Sequence, residues 1–523
     1  MVRMSLSLED QLFIESMVDQ HGLTKAWKRM LVARVVNTGE SYSYILQNKL
    51  FRDIVPATQD VLAHMTIGEV SVAYEYALAY SDRAKRKVEG QYFTPDDVSQ
   101  FLASHARTFP HNAIWADPCS GVGNLSYWLV KQQVDPERFL LSRIYLIDLD
   151  ALALISARVL FTLAFQNKED KLFNKLEDRF LERNFLTAND LPKFDAAILN
   201  PPYVSGVFSD TFATAATRNM YAYFLEKVAT LASMGYISIT PQTFTNGSRF
   251  SSLRKLLINQ HRALDVYCFD NVPDNIFSGV KFGSGNTNKA NSTRAGIIVA
   301  KCARAKKHRI TPLLRWRSHE RSQVFSSAPG FLTEVTFTED VFPKISRDLK
   351  TLYKIVRRFD RVLGDIISQT PTAHALQVPT TPRYFISANK HPVQRTSFRT
   401  LYFDTPESFN SAYVLLNSSY MYWWWRVNDG GMTISEKTLL ELPIPSLDPF
   451  AILRFVKELE ASERCSKVVK LNAGKQIENI KHPQELVRSI TAFLFPDYVT
   501  HLSATHANSN LGSARPETKV LFA

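Results

Sequence analysis

Phe194-Asp-Ala-Ala-Ile-Leu-Asn-Pro-Pro-Tyr203 decides how this chain is read. Residues 196–199 form a short apolar run of the kind that makes a buried strand. Pro201 and Pro202 then forbid helix and a continued ladder, because proline lacks the N–H that either needs. The carbonyls at the end of that strand are left to face something other than backbone. A proline-stiffened surface loop is the plain alternative.

Upstream, Ala116-Asp-Pro-Cys-Ser-Gly-Val-Gly-Asn-Leu125 falls between a strand and a helix. Gly121 and Gly123 permit a tight turn and close approach of backbone to a ligand. A dinucleotide fingerprint needs a third glycine three residues beyond Gly123, and Ser126 stands there. The loop therefore suits a nucleoside better than a pyrophosphate; the alternative is a strand–helix turn with no ligand. Ile144-Tyr-Leu-Ile-Asp-Leu-Asp150 comes next, with Asp148 placed 31 residues after Asp117. That interval holds one helix and the return to a neighbouring strand. An acid where the second strand ends is placed to accept from both ribose hydroxyls. Asp150 suits a helix N-cap instead.

Further outward, apolar strands are expected at 113–116, 144–147, 196–199, 236–240, 264–269 and 295–300. Helices such as 221–234 and 251–260 separate them. This alternation predicts an α/β fold built on an open, mostly parallel sheet with helices on both faces. Before it, residues 1–88 read as helical, with apolar spacing through Leu12, Phe13, Met17 and Val18 and again through Ala73, Tyr76, Ala77 and Tyr80. A basic run from Arg83 to Lys87 leads into Gly90 and a turn at Thr94-Pro95. Beyond about 310 the regularity gives way to mixed strand and loop signals. A helical stretch is expected over 448–471, and the polar tail after 503 reads as disordered. The expected domains are a helical region at 1–88, the α/β unit at 89–312, a mixed α/β domain at 313–503 and a disordered tail at 504–523.

A chain of 523 residues exceeds one ordinary domain. Its 45% hydrophobic and 21% charged residues fit a soluble globular protein. No apolar run is long enough to cross a bilayer, and the first residues lack the apolar core of a signal peptide. Cys119, Cys268, Cys302 and Cys465 are scattered, in neither metal-ligand nor disulfide spacing. A reduced, cytosolic chain without structural metal is the expectation. The net charge of +12 suits a polyanionic partner. Eight Lys or Arg residues lie between Lys301 and Arg321 against one acid, Glu320. Arg357, Arg358, Arg361, Arg383, Arg395 and Arg399 extend that character, interleaved with Trp316, Tyr384, Phe385 and Tyr402. The mixture suits phosphate contacts beside stacking contacts, a solvated basic face being the alternative for any one residue. Trp423-Trp-Trp425 reads as core.

The chemistry at 200–203 follows from the groups present. An amine on an aromatic base is a poor nucleophile because its lone pair is delocalised. The Asn200 side-chain oxygen and the Pro201 carbonyl are two acceptors for its two hydrogens, and together they localise the lone pair. Tyr203 offers a face for stacking. With an activated methyl donor, neither a nucleophilic side chain nor a metal is needed.

In order and spacing, these motifs resemble the gamma-class N6-adenine DNA methyltransferases of restriction–modification systems. The resemblance is strong over about 90–300. It implies a Rossmann-like S-adenosylmethionine-dependent methyltransferase fold with an N-terminal helical region and a C-terminal mixed α/β target-recognition domain. It also implies methyl transfer to N6 of a flipped-out adenine at a specific site in double-stranded DNA, with S-adenosylhomocysteine as product and no metal. Asn200, Pro201, Pro202 and Tyr203 match the family's catalytic tetrapeptide. Gly90-Gln-Tyr-Phe-Thr-Pro95 resembles the segment that wraps the methionine end of the cofactor. The implied cofactor set is Tyr92, Thr94, Asp117, Gly121, Gly123, Asp148, Asn184 and Phe185. Residues 219–227 and 235–244 resemble the helix and strand that follow, and Phe277 the aromatic that meets the flipped base opposite Tyr203. In the C-terminal third, 416–423 and 442–445 resemble target-recognition regions. A separate restriction endonuclease, no membrane, and the cytoplasm of a prokaryote or phage host complete the picture.

Two departures stand out. Sixteen positions before Asn200, where the family has an acid on the cofactor's adenine, this chain has Asn184. A polar insertion, 283–293, separates Phe277 from the last strand and makes Phe282 a competitor for its role. Three other readings use the same loop: an RNA methyltransferase, a protein methyltransferase acting on a glutamine amide, and a non-catalytic DNA-binding subunit. The large basic C-terminal region speaks against the glutamine reading, and the intact tetrapeptide against the last.

Overall fold

The computed structural model describes residues 6–81, 94–168, 171–206, 208–277, 293–429, 432–472 and 475–513. Contacts divide the chain into two compact units. One comprises Met1–Pro241 with Arg249–His308, the other Gln242–Ser248 with Arg309–Lys519.

The first unit is built on strands β1 (Trp115–Asp117), β2 (Ile144–Asp148), β3 (Phe180–Glu182), β4 (Ala196–Leu199), β5 (Gly235–Pro241), β6 (Ala263–Phe269) and β7 (Ala295–Lys301). Their order across the sheet is β3-β2-β1-β4-β5-β7-β6. β1 to β5 run parallel, and β7 is antiparallel to both β5 and β6. The α/β reading is thus met, with an antiparallel edge. Two details differ from expectation. β1 begins at Trp115 rather than 113, because the Ala113 N–H is spent in a turn on the Pro110 carbonyl (3.0 Å). β3 is an edge strand whose residues are half-buried or exposed, so no buried apolar run marks it in the sequence.

Helices α1 (Leu8–His21), α2 (Leu23–Thr38) and α3 (Ile67–Ser81) precede the sheet. They are followed by α4 (Asp96–Ser104), α5 (Asn124–Lys131), α6 (Pro136–Ser142) and α7 (Ala151–Phe165). The first three belong to the sheet's own unit. Trp27, Met30, Tyr74 and Ala77 share one apolar cluster with Val122, Leu152, Ala153 and Val159 of the loop after β1 and of α7. The Trp27 indole N–H donates to Ser156 Oγ (2.8 Å), and both groups are buried. Truncating so large a buried side chain costs about 3–5 kcal/mol.

The second unit carries three antiparallel pairs. β8 (Lys307–Leu314) pairs with β9 (Thr333–Glu334), β10 (His374–Pro379) with β11 (Phe398–Phe403), and β12 (Lys467–Asn472) with β13 (Lys475–Ile480). Around them lie helices Pro406–Leu416, Ser419–Asn428, Pro449–Cys465 and Gln484–Leu494. Trp423, Trp424 and Trp425 are buried in its core, as expected. The helix predicted to run to 471 ends at Cys465, where β-branched Val468 and Val469 favour the strand that follows. The tail is also more ordered than predicted from 504: His506 bonds the Tyr384 carbonyl (2.9 Å) and Ser419 Oγ (3.1 Å), and Asn510 bonds the Leu313 carbonyl (3.2 Å). Among the described residues no helix is long and apolar enough to cross a membrane.

Candidate active site

β1, β2 and β4 are parallel neighbours, so the segments that leave their C-terminal ends emerge on one edge of the sheet. After β1, Gly121 (φ +52°) and Gly123 (φ +86°) both take left-handed backbone. A Cβ on Gly123 would come within 2.9 Å of the Phe161 ring, whereas one on Gly121 would meet nothing within 4 Å. Gly123 is needed for packing under the turn, and Gly121 faces open space. Asp148, ending β2, accepts the Gly121 N–H (2.7 Å) on one carboxylate oxygen and the Asp150 N–H (3.0 Å) on the other. Each oxygen retains a second lone pair. Asp150 caps α7 through the N–H groups of Leu152 (2.9 Å) and Ala153 (3.1 Å), the role its position suggested.

Asp117 is 1% exposed. One oxygen accepts from Ser126 Oγ (2.8 Å), and the other is buried with no hydrogen-bond partner. Burial pushes its carboxyl up to about 7, against the smaller opposing pull of Ser126 and the Cys119 N–H. Such an orphaned acceptor calls for a missing donor. Burial likewise holds the Cys119 thiol well above its ordinary value.

The loop after β4 is tied to this turn through Thr94. Asn200 Nδ2 donates to Thr94 Oγ1 (2.9 Å), and Asn124 Nδ2 donates to the Thr94 carbonyl (2.6 Å). Three separate stretches of chain are thereby joined at one residue. Tyr203 OH donates to the Ile239 carbonyl (3.2 Å), which fixes its ring. Pro201 is buried and Pro202 half-buried beside it. Phe277, 2% exposed, meets Tyr203 edge to face at 6.5 Å and 67°. Tyr92 and Phe282 lie outside the described residues.

Asn184 is half-buried and closes its own turn: Oδ1 accepts the Leu186 N–H (3.1 Å), and its carbonyl accepts from Thr187 (3.1 Å) and Ala188 (2.8 Å). Phe185 is buried and stacks on Phe224 (5.6 Å, 17°). Lys227 pins this turn by donating to the carbonyls of Leu186 (3.1 Å) and Ala188 (2.8 Å). Asp190, the competitor for the acid's place, is exposed and pairs with Arg183 at 3.2 Å.

Several contributors escaped the sequence reading. Ser126, noted only as the residue that breaks a dinucleotide fingerprint, holds Asp117. Thr94, read in the sequence as a cofactor contact, also orients Asn200. From α3, Tyr74 OH donates to the Asp150 carboxylate (2.6 Å) and so braces the loop that carries Asp148. A tyrosine on an apolar helix face gives no sequence signal for such a role.

The basic residues of the second unit divide. Arg357, Arg358, Arg361 and Arg383 are exposed. Arg315 and Trp316, expected at a nucleic-acid surface, are 2% and 1% exposed, because the aromatic core absorbs them. Arg395 is held by Ser387 and the Glu478 carbonyl, and burial lowers its pKa to about 10. Arg399 pairs with Glu436. Tyr384, Phe385 and Tyr402 are half-buried.

Residues 66–284 match the family described as N-6 DNA Methylase. The Type II methyltransferase M.BsuBI of Bacillus subtilis is 27% identical over 205 residues, covering 36% of this chain and 40% of that protein. The Type II methyltransferase M.PstI of Providencia stuartii is 24% identical over 216 residues, covering 38% and 41%. The chain thus spans about two fifths of the length of these relatives. Among solved structures, the DrdV–DNA complex aligns with a TM-score of 0.43 and 15% identity, over 60% of this chain and 38% of that one. The matched segment begins at α3 and takes in the glycine turn, Asp148 and the Asn-Pro-Pro-Tyr loop, so over 66–284 the chain is similar to the N-6 DNA Methylase family.

Proposed function

We propose that the protein methylates N6 of adenine at a specific site in double-stranded DNA, with S-adenosylmethionine as donor, as the modification enzyme of a restriction–modification system. The observation that carries this reading is the Thr94–Asn200 hydrogen bond. By engaging the amide nitrogen, it turns the Asn200 oxygen into the acceptor of that side chain. Asn200 and the Pro201 carbonyl then take the two amine hydrogens, raising the nucleophilicity of the nitrogen where it attacks. Tyr203, fixed through its hydroxyl, supplies the stacking face for a base taken out of the helix. Phe277, in edge-to-face contact with that ring, is assigned the opposite face of the base in this reading.

The residues present suit the cofactor. The partnerless Asp117 oxygen, the open face of Gly121 and the Asp148 carboxylate are acceptors and space at one sheet edge. Asp117 and Thr94 would hold its amino-acid end, Asp148 its ribose, and Asn184 with Phe185 its adenine. When bound, S-adenosylmethionine supplies a methyl group already activated on sulfonium. In this reading 89–312 is the catalytic domain and 313–503 the DNA target-recognition domain, and a separate endonuclease is the partner whose cut the methyl group blocks. Modification-sensitive sequencing of DNA from a host expressing the protein tests it. N6-methyladenine in one sequence context is the expected result. Methylation found only on RNA or on a protein glutamine, with the DNA unmodified, overturns the reading.

A further inference from the structure

The first unit carries an acidic cleft of about 260 Å³, formed by the start of α1 and the stretch that leads into α3. Glu9, Asp10 and Asp60 line it with Ser7, Gln59 and His64, and among the described residues no lysine or arginine does. Glu9 and Asp10 lie in the first turn of α1, where the helix dipole favours an acid. Asp10, 7% exposed, accepts from Ser7 Oγ (2.6 Å) and meets His64 Nε2 at 3.4 Å. Asp60 has no helix end to support it, and its side chain is 4% exposed. Its Oδ2 is approached by the Arg34 guanidinium and the Asn37 amide, each at the long distance of 3.4 Å. Its Oδ1 is buried and has no hydrogen-bond partner.

A buried carboxylate oxygen without a donor is costly, so Asp60 calls for one from outside the chain. Even with Arg34 counted, three carboxylates face one guanidinium, since His64 is charged only when protonated. Among the described residues no three acids, histidines or cysteines gather closely enough to hold a metal ion. The acids therefore suit a larger cation, one that spreads its charge over several N–H groups. We propose that this cleft binds a guanidinium or alkylammonium group, carried by a free polyamine or by a basic side chain of another protein. It lies before the segment 66–284 and apart from the motifs at 90–300, so it stands independently of the methyl-transfer reading.

The test is calorimetric titration of the full-length protein, free of DNA, with spermidine and with Nα-acetylarginine amide, against sodium chloride at matched ionic strength. Saturable binding at one site is expected. Asp60→Asn, which keeps the shape and removes the charge, should weaken it about tenfold, and Glu9→Gln on the exposed rim about threefold. Glu15→Gln, on the same helix but outside the cleft, should leave it unchanged. Spermidine bound more than tenfold more tightly than the arginine probe identifies a free polyamine as the occupant, and any smaller ratio identifies a side chain. Should Asp60→Asn misfold, the exposed Glu9→Gln carries the test. Failure of both probes to bind overturns the proposal, as does binding that survives the cleft substitutions. Equal weakening by Glu15→Gln marks general charge attraction and overturns it too.

Discussion

In the first unit the polar groups gather where β1, β2 and β4 end, and they are wired to one another: Thr94 to Asn200 and Asn124, Asp148 to Gly121, Ser126 to Asp117. In the second unit the groups that look most like ligand contacts are packed inward. Trp316, Trp423, Trp424 and Trp425 are core, and Arg315 and Arg395 bond protein carbonyls. A strand-end loop is constrained by what it must approach, so glycine, proline and acid recur at fixed spacing. An aromatic or arginine serves core and surface alike, and only burial separates the two uses.

The sharpest way to break this contrast is Asn200→Ala. Loss of one preorganised acceptor costs about 3 kcal/mol, so single-turnover methyl transfer falls a hundredfold or more, while S-adenosylmethionine affinity stays within about twofold. Thr94→Val, which frees the amide to rotate, falls about tenfold, by the cost of one hydrogen bond. An Asn200→Ala enzyme with a third of the wild-type rate removes the residue from the mechanism.

Asp117 sharpens it through pH. Its carboxyl titrates near 7 when folded, above the ordinary value of about 3.9. Between these values the folded chain keeps a proton that the unfolded chain has released, so stability without ligand falls as pH rises from about 4 to 7 and is level above. Asp117→Asn has no such slope. It should exceed wild type at pH 8 by on the order of 2–4 kcal/mol, with the gap closing toward pH 4. Denaturant unfolding of both proteins across that range decides it, and a constant gap removes the buried carboxylate from the account.

The second unit is probed by its exposed arginines. Replacing Arg357, Arg358 and Arg361 with Gln should weaken DNA binding about tenfold to a hundredfold at physiological salt and lower the salt slope by about 0.9 for each phosphate no longer neutralised. Cofactor affinity should not move. An unchanged slope makes these residues a solvated face.

The same division explains what the sequence disclosed. The parallel order of β1, β2 and β4 was legible because buried strands are continuous apolar runs with punctuated ends. β3 was not, being a half-buried edge strand, nor was the direction of β7, whose expected apolar run at 295–300 reads the same either way. Asn200 and Asp148 were legible from spacing. The bracing by Tyr74 was not, because Tyr74 and Asp150 are 76 residues apart and meet only in the folded chain.

The smallest expected effect concerns Asn184, where the two kinds of role meet in one residue. Its oxygen closes an Asx turn on the Leu186 N–H, and in the proposed reading it also accepts from the cofactor's adenine amine. Asn184→Asp preserves the turn and adds charge, so S-adenosylmethionine affinity should change by no more than about threefold, toward tighter binding. Asn184→Leu loses turn and acceptor together and should weaken binding about tenfold. Asp190→Leu should do nothing, because that carboxylate is occupied at the surface by Arg183. Weakening by Leu alone does not tell contact from turn. A cycle does: bind S-adenosylmethionine and its analogue lacking the 6-amino group to wild type and to Asn184→Leu. If Asn184 accepts from that amine, removing the amine costs wild type more than the variant, and the difference is the coupling of the two groups. Equal losses in both proteins confine Asn184 to shaping the loop and leave Phe185 as the adenine's contact.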